Sequence, residues 1–445
     1  MQTIKKHIRE TFILAYPVII GQLGFIMMGV VDSVMVGNLG AVPLAGASLG
    51  NSLFILIFII GMGVSMSVTP LIAILVGAKR FSECGIYFRQ SLLVNLVLGL
   101  ILMSIVFVSS DFLEYLNQPP AVVEQASSYT KIIALSIMPA MLFHTYKQFI
   151  EGFSMMKPAM IIAIVANIVN GFTNWVFIYG NLGMPALGLN GAGWATFSSR
   201  VFMAFVIMLY VMNKEYFKQY DINFHFKKVN FPVVKKILLV GLPSGFQYFF
   251  EVGAFAFAVI MIGWLGTNPL AAHQIAINLA SITFMAVLGI SAAGGIRVGN
   301  EVGKKDIFEV RRAGFTAIIM GASIMFICGI IFITFNKFLP TLYIDDAAVV
   351  KIASSLLIIA AIFQVSDGTQ GVGIGVLRGL MDVKIPTLIT FVAYWVIALP
   401  IGYVLGFIFN FGVQGVWVGL LLGLTASATM LTIRFNIKSR QLVEL

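Results

Sequence analysis

Apolar residues come in long runs along this chain, and the short polar segments between the runs carry most of its charge. A run of about 20 residues crosses a hydrocarbon core of ~30 Å as a helix. In lipid every backbone N–H and C=O must be satisfied within the protein, which leaves helices or closed barrels. The runs lack the ~10-residue alternation of a membrane barrel, so the pattern predicts an all-α integral membrane protein. Twelve spans are expected, over 11–36, 45–76, 86–108, 128–152, 159–180, 188–213, 235–264, 270–298, 311–335, 349–376, 386–409 and 413–435. The first is too long for a signal-peptide core and no small-residue cleavage site follows it, so it is expected to remain in the mature protein.

The pattern also repeats. Shifting the chain by 226 residues places Pro17 on Pro243, Gly37-Asn-Leu-Gly40 on Gly263-Trp-Leu-Gly266 and Pro43-Leu-Ala45 on Pro269-Leu-Ala271. Gly63, Ser65 and Gly77 meet Gly289, Ser291 and Gly303, all without a gap. Gly188-Leu-Asn-Gly191 resembles Gly412-Val-Gln-Gly415 at a slightly different offset. Six helices per repeat bring the second repeat in with the orientation of the first, a parallel pair about an axis along the membrane normal. The predicted organisation is an N-lobe over 1–213, a cytoplasmic linker over 214–234 and a C-lobe over 235–445.

Composition agrees: of 445 residues 59% are hydrophobic and only 10% charged. Of the 28 Lys and Arg, only Lys131, Lys337 and Lys351 fall in odd-numbered loops or the helix ends beside them, and Arg200 lies inside a helix. The rest lie in the termini, the even-numbered loops and the helix ends beside them, which predicts that both termini are cytoplasmic. Cations lining a membrane face form no nucleic-acid groove, so that partner class is excluded. The segment 214–236 carries six Lys with Phe217, Phe224, Phe226 and Phe231 interspersed. It reads either as a strip lying on an anionic inner leaflet or as a solvated linker. Cys84 and Cys328 are the only cysteines, which argues against a disulfide or a Cys-rich metal site.

Three carboxylates stand against this apolar background: Asp32, Glu251 and Asp367. An acid at mid-membrane depth costs roughly 2.5–3.5 kcal/mol on insertion scales. The duplication does not extend to them, since Asp32 aligns with Ala258, Glu251 with Phe25 and Asp367 with the region of Pro139 and Ala140. The two halves are therefore expected to do different ionic work.

Helical spacing groups other polar residues. Gln247, Glu251 and Phe255 share a face, as do Gln274, Asn278 and Ser281, then Gln364, Asp367 and Gly371 with Gln370 close by. Asn167, Asn170 and Asn174 form a line of amides, and Thr196, Ser199 and Arg200 cluster. Carboxylate, amide and hydroxyl oxygens suit a hard cation, so Asp32 with Asn170, Asn174 and Thr196 would make a cage for Na+. A buried carboxylate could instead carry a proton, and the residues alone leave both open. Hydrogen bonding between helices is the alternative role for the amides, and neutralising an acid is one for Arg200. His144 and His273 read as packed polar groups rather than metal ligands.

Pro17…Gln22…Asp32-Ser-Val-Met-Val-Gly-Asn-Leu-Gly40, Gly188-Leu-Asn-Gly-Ala-Gly-Trp194 and Pro269-Leu-Ala-Ala-His-Gln-Ile-Ala-Ile-Asn278, with Glu251 and Asp367, resemble the multidrug and toxic compound extrusion (MATE) transporters, nearest their NorM-like branch. The likeness spans essentially the whole chain. It implies two six-helix lobes forming a V around a central cavity. It also implies export of cationic amphiphilic compounds in exchange for Na+ or H+, by alternating access. Asp32 matches the family's N-lobe acid, with Asn170, Asn174 and Thr196 as its companions. Glu251 and Asp367 match the C-lobe acids, and the presence of both favours Na+ over H+. Gln22, Gln247, Phe255, Gln274, Asn278, Phe284 and Gln364 are the candidates for a substrate cavity. Phe284 stands where some relatives carry a Tyr near the cation. The implied setting is a bacterial cytoplasmic (inner) membrane, a monomer and no cofactor beyond the coupling ion.

A cationic drug is thus expected to meet an apolar cavity carrying negative charge. The alternative is a lipid-linked oligosaccharide flippase, which needs cavity cations for a pyrophosphate where this chain offers mainly acids plus Arg200. A membrane enzyme would need a nucleophile–base pair or a metal cluster, and neither H-E-x-x-H nor a Cys/His cluster occurs.

Overall fold

The computed structural model describes residues 2–116, 118–220 and 229–441. Among these residues the regular structure is helical, with no strand. Twelve helices are long and apolar enough to cross a membrane: Lys5–Gly37, Ala41–Gly77, Phe81–Tyr115, Pro120–Gly152, Lys157–Tyr179, Leu189–Asn213, Phe231–Gly263, Thr267–Lys304, Ile307–Thr334, Ala347–Gly379, Lys384–Ile408 and Gly412–Gln441. Each contains most of one predicted span. The ends differ where polar residues extend a helix, as at Pro120 and Lys304. Large apolar side chains such as Ile168, Phe172, Ile319 and Ile362 stand exposed along these helices, as a lipid-facing surface requires.

The repeat is visible in the backbone. Gly40 and Gly266 precede the second and eighth spans with φ of 119° and 116°, a conformation open essentially only to glycine. The second and eighth spans close on left-handed Lys79 and Lys305, and the fourth and tenth on left-handed Ser154 and Met381. In all four the next residue bonds back to the carbonyl five before it: Arg80 to Leu75, Met155 to Ile150, Asp306 to Glu301, and Asp382 to Leu377. This is the Schellman closure that satisfies the last carbonyls of a helix. Pro17 and Pro243 both sit inside long helices, where each removes a backbone hydrogen bond and favours a bend.

Contacts divide the chain into one unit of Met1–Ile19 with Phe246–Leu445 and another of Ile20–Gly245. The boundaries at 213 and 235 expected from hydropathy are not where contacts divide. Both divisions fall two residues beyond the prolines, inside the first and seventh spans. The linker reading falls largely outside the described residues, because Phe224, Phe226, Lys227 and Lys228 lie there. Phe217 is described and faces no leaflet: it is fully buried, with its ring 5.6 Å from Phe149 and 5.5 Å from Phe153.

Within the unit Ile20–Gly245, two spans are interrupted. The second breaks after Ser65 and the fourth at Ser136. Ser65, Ser67 and Ser136 each turn a hydroxyl onto the carbonyl three residues back, which competes with the helix ladder. Within the other unit, the eighth and tenth spans run without a break.

The eleventh and twelfth spans meet through small residues. Gly415, Gly419 and Gly423 lie four apart and face Gly406, Gly402 and Ala398, so close that a Cβ on any of the three would collide with the opposing residues. Small-xxx-small faces let membrane helices gain packing contacts that hydrophobicity cannot supply in lipid. The eleventh span is also wound into π turns at Val392–Ala398 and Val404–Ile408.

Candidate functional site

The acids occupy two separate settings, one in each unit. In the unit Ile20–Gly245, Asp32 of the first span meets the fifth and sixth spans. Asn174 Nδ2 donates to its Oδ1 at 2.5 Å and Thr196 Oγ1 to its Oδ2 at 3.2 Å. Asn174 Nδ2 also reaches Asn170 Oδ1 at 3.2 Å. Both asparagines are fully buried. The four residues proposed as a cage therefore do come together, although the amide of Asn174 presents its nitrogen to the acid. Asn174 Oδ1 and Asn170 Nδ2 are buried without a hydrogen-bond partner among the described residues. Asn167 does not join them; its amide returns to Ala163 O at 2.8 Å.

Asp32 opens onto a cavity of about 620 Å³. Gln22, Phe25, Phe54, Phe58, Tyr129 and His144 line it, as do Thr196, Lys147 and Arg200. Phe25 stacks on His144 at 6.4 Å between centroids. The expected negative character is not what this unit shows. Among its lining residues are one carboxylate, Asp32, and two bases, Arg200 and Lys147. Hydropathy could not show this, because Lys147 lies in a cytoplasmic-end turn by sequence and only the packing of the fourth span turns it to the cavity. Lys147 pairs with buried Glu151 at 3.7 Å. Arg200 forms no ion pair with Asp32 among the described residues, although it lies within electrostatic range of it. It donates from Nη1 to Ser136 Oγ at 2.6 Å and lies over the Phe54 ring at 4.7 Å.

In the unit formed by Met1–Ile19 and Phe246–Leu445, Glu251 of the seventh span meets the tenth and eleventh. Gln370 Nε2 donates to Glu251 Oε1 at 3.1 Å and to Tyr394 Oη at 2.9 Å. The Tyr394 hydroxyl reaches Gln370 Oε1 at 3.1 Å and Glu251 Oε1 at 3.5 Å. Asp367, only 8% exposed, lies within electrostatic range of Glu251. Arg378 is in range of Glu251 as well.

The remaining candidates scatter. Phe255 packs 5.8 Å from the Tyr394 ring. Gln247 donates to Thr390 at 3.2 Å, and Gln364 pairs with Thr283 at 2.9 Å. Phe284 packs against the tenth-span backbone at Gly371. Gln274 and Asn278 are exposed, and neither hydrogen-bonds to an acid among the described residues. His273 accepts from Trp417 Nε1 at 3.0 Å in the core.

Tyr394 was missed. Its span reads as an apolar run, and the only signal is a hydroxyl in the segment Ala-Tyr-Trp-Val. The π turn that begins at Val392 sets its direction, and such turns recur at functional sites.

The chain as a whole has relatives. The MatE family model matches residues 17–176 and again 243–404, starting at the two repeat-related prolines. A probable multidrug resistance protein NorM of Mesorhizobium japonicum is 34% identical over 98% of this chain and 95% of its own length. A multidrug resistance protein MdtK of Proteus mirabilis is 35% identical over 98% and 96%. Among solved structures, a MATE protein in its bent conformation superposes with a TM-score of 0.90 at 20% identity, covering 99% of this chain and 96% of that one. A eukaryotic MATE transporter gives 0.89 at 19% identity, covering 99% of each. Two family matches on a duplicated twelve-span chain, with relatives alike along nearly their whole length, make this multi-pass membrane protein a member of the MATE transporter family, of its NorM-like branch.

Proposed function

We propose that the chain is a secondary active antiporter that exports cationic amphiphilic compounds in exchange for Na+, by alternating access, in a bacterial inner membrane with both termini cytoplasmic. Its relatives are named for multidrug resistance, which supports the substrate class. The observation that carries the coupling is the pair Glu251 and Asp367. These two carboxylates, on the seventh and tenth spans, lie within electrostatic range of each other, Asp367 only 8% exposed, and a cation or a proton entering between them would relieve their repulsion. The Tyr394 hydroxyl adds a neutral oxygen that suits a hard cation, while Gln370 turns its amide nitrogen to Glu251 and its oxygen to Tyr394.

The Asp32 group offers a second ligand set. A half-turn of the Asn174 amide would exchange Nδ2 for the unpartnered Oδ1 beside the carboxylate. That turns a hydrogen-bond donor into a cation ligand. Such amide orientations are assigned from the surrounding network rather than fixed by shape. Drug and ion must favour different states for transport to be coupled.

The test is ethidium efflux from proteoliposomes with Na+ and pH gradients imposed separately. Efflux driven by inward Na+ at symmetric pH supports the proposal. Efflux that follows only the pH gradient replaces Na+ with H+, and no response to either refutes ion coupling.

A further inference from the structure

The N-terminal half of the first span belongs to the unit with Phe246–Leu445, and two contacts hold it to the eighth span. One is apolar: Gly289 lies so close to Ala15 and Ile19 that a Cβ there would collide with both. The other, nearer the N-terminus, is polar. Buried Arg297 donates from Nη1 to Thr11 Oγ1 at 2.8 Å and to His7 O at 3.0 Å. Its Nη2 reaches Glu10 Oε2 at 2.8 Å and His7 Nδ1 at 2.6 Å. A guanidinium only donates. Nδ1 must therefore offer its bare lone pair, which places the imidazole hydrogen on Nε2. Nε2 lies 3.1 Å from Glu309 Oε2 of the ninth span, out of line for a hydrogen bond. His7 is itself only 2% exposed.

The other repeat does without this polar contact. The 226-residue shift puts His7 on Val233, Thr11 on Ile237 and Arg297 on Leu71, and Ile237 and Leu71 are buried. Apolar side chains thus suffice at this place in the scaffold. A buried ionic cluster there gains no stability over apolar packing as such, and a role as a switch is the better account of it. His7 supplies the moving part. A proton on Nδ1 turns an acceptor into a donor that faces a donor, and it puts a positive charge beside Arg297. The charged groups about the ring are Arg297 and, behind it, Glu301 of the eighth span, Glu309 and Arg312 of the ninth, and Glu10 of its own helix. The acids are already answered, Glu10 by Arg297 and Glu309 by Arg312 at 2.8 Å each, and Glu301 by Lys304 at 2.7 Å. The new attraction is therefore divided, whereas the Arg297–His7 bond is lost outright.

From this geometry we infer that His7 and Arg297 are positioning residues that form a proton-operated anchor. It holds the N-terminal turns of the first span to the eighth while His7 is neutral and frees them when His7 takes a proton, with the contact at Gly289 as the pivot. The same helix continues past Ile19 into the other unit and carries Asp32, so the anchored element belongs to both units. With the termini placed as proposed above, the proton comes from the cytoplasm. The anchor does not depend on which ion drives export.

The test is hydrogen exchange on the purified full chain, read by mass spectrometry in peptides covering residues 6–14 and corrected for the intrinsic pH dependence of exchange. A free imidazole titrates near about 6.5 and free carboxylates near about 4, so about pH 8 and about pH 5.5 bracket the first and leave the second ionised. Wild-type protection is expected to fall about 10-fold at the lower pH, the scale of one bond to a charged group. His7→Asn keeps an acceptor near the position of Nδ1 and takes no proton, so its exchange should no longer depend on pH. Arg297→Lys keeps the charge and loses the fork, and its protection should already be about 10-fold lower at the higher pH.

Wild-type exchange that is equal at the two pH values overturns the anchor, and this arm needs no variant to fold. A pH dependence that persists in His7→Asn assigns the effect to acids elsewhere and also overturns it. So does a fall of the same size in peptides from every span, which reports general loosening. Exchange is read without drug or ion gradient, so its outcome stands apart from that of the efflux test.

Discussion

Lys79 and Lys305 close the second and eighth spans with the same left-handed backbone, φ 56° and 61°, and the next residue in each case completes the same bond back into the helix. A non-glycine residue there costs roughly 1–2 kcal/mol relative to its right-handed form. The charge pattern predicts both ends to be cytoplasmic, where a cation would favour orientation over local stability.

Glycine should relieve that strain. Lys79→Gly and Lys305→Gly are each expected to stabilise by up to ~1 kcal/mol, less glycine's greater unfolded-state entropy. Valine at either site should destabilise by more than ~1 kcal/mol, because a branched side chain clashes at positive φ. Thermal melts of the purified variants read both. Equal melting points for Gly and Val variants would contradict the backbone account.

The eleventh and twelfth spans depend on bare backbone contact. A side chain at Gly419 would run into Gly402 and Ala398. Gly419→Leu is expected to cost ~3 kcal/mol or more through overpacking against backbone that cannot move aside, and to abolish a monodisperse protein on size exclusion. Leucine at Gly29, where a Cβ would meet nothing within 4 Å, is the control and should be tolerated.

Asp32 holds Asn174 and Thr196 by its charge as well as by shape. Asp32→Asn should lower ethidium efflux at least ~10-fold while insertion is unchanged, since charge-assisted bonds are about twice as strong as neutral ones. Asn174→Ala leaves the carboxylate with Thr196 and should cause a smaller loss. Normal efflux in Asp32→Asn would remove this residue from the transport cycle.

Glu251→Gln and Asp367→Asn remove one charge each from the proposed coupling pair and should each abolish ion-driven efflux. Tyr394→Phe removes only the hydroxyl that reaches Glu251 and Gln370. The expected result is a several-fold weaker apparent affinity for the driving ion with maximal efflux retained, on the scale of one hydrogen bond of ~1 kcal/mol. A Tyr394→Phe protein with unaltered ion dependence would make the hydroxyl a packing feature.

How much of this was legible depended on what each residue needed. Asp32, Glu251 and Asp367 stood out because an acid in an apolar run is costly wherever it points. Asn170 and Asn174 could be grouped because one helix face fixes which side chains travel together, whereas Thr196 meets Asp32 from another span. Tyr394 and Lys147 were not found. A tyrosine in an apolar span and a lysine near a span end are both ordinary, and nothing local shows which neighbours they will meet. Gln274 and Asn278 share a helix face yet bond to no acid among the described residues, since a face predicts company along one helix and not across to the next.

The sequence by itself determined the twelve spans, their duplication, the glycine and proline positions that recur in both halves, and the three acids. These follow from single-chain constraints: backbone satisfaction in lipid, allowed φ, and the cost of buried charge. Tertiary structure alone decided where the contact units divide and that Tyr394 reaches Glu251. It also placed Arg200 and Lys147 beside Asp32 in one cavity and so set that cavity's charge balance. Each of these is a distance between helices far apart in the chain, and the period of one helix carries no information about its neighbour's rotation.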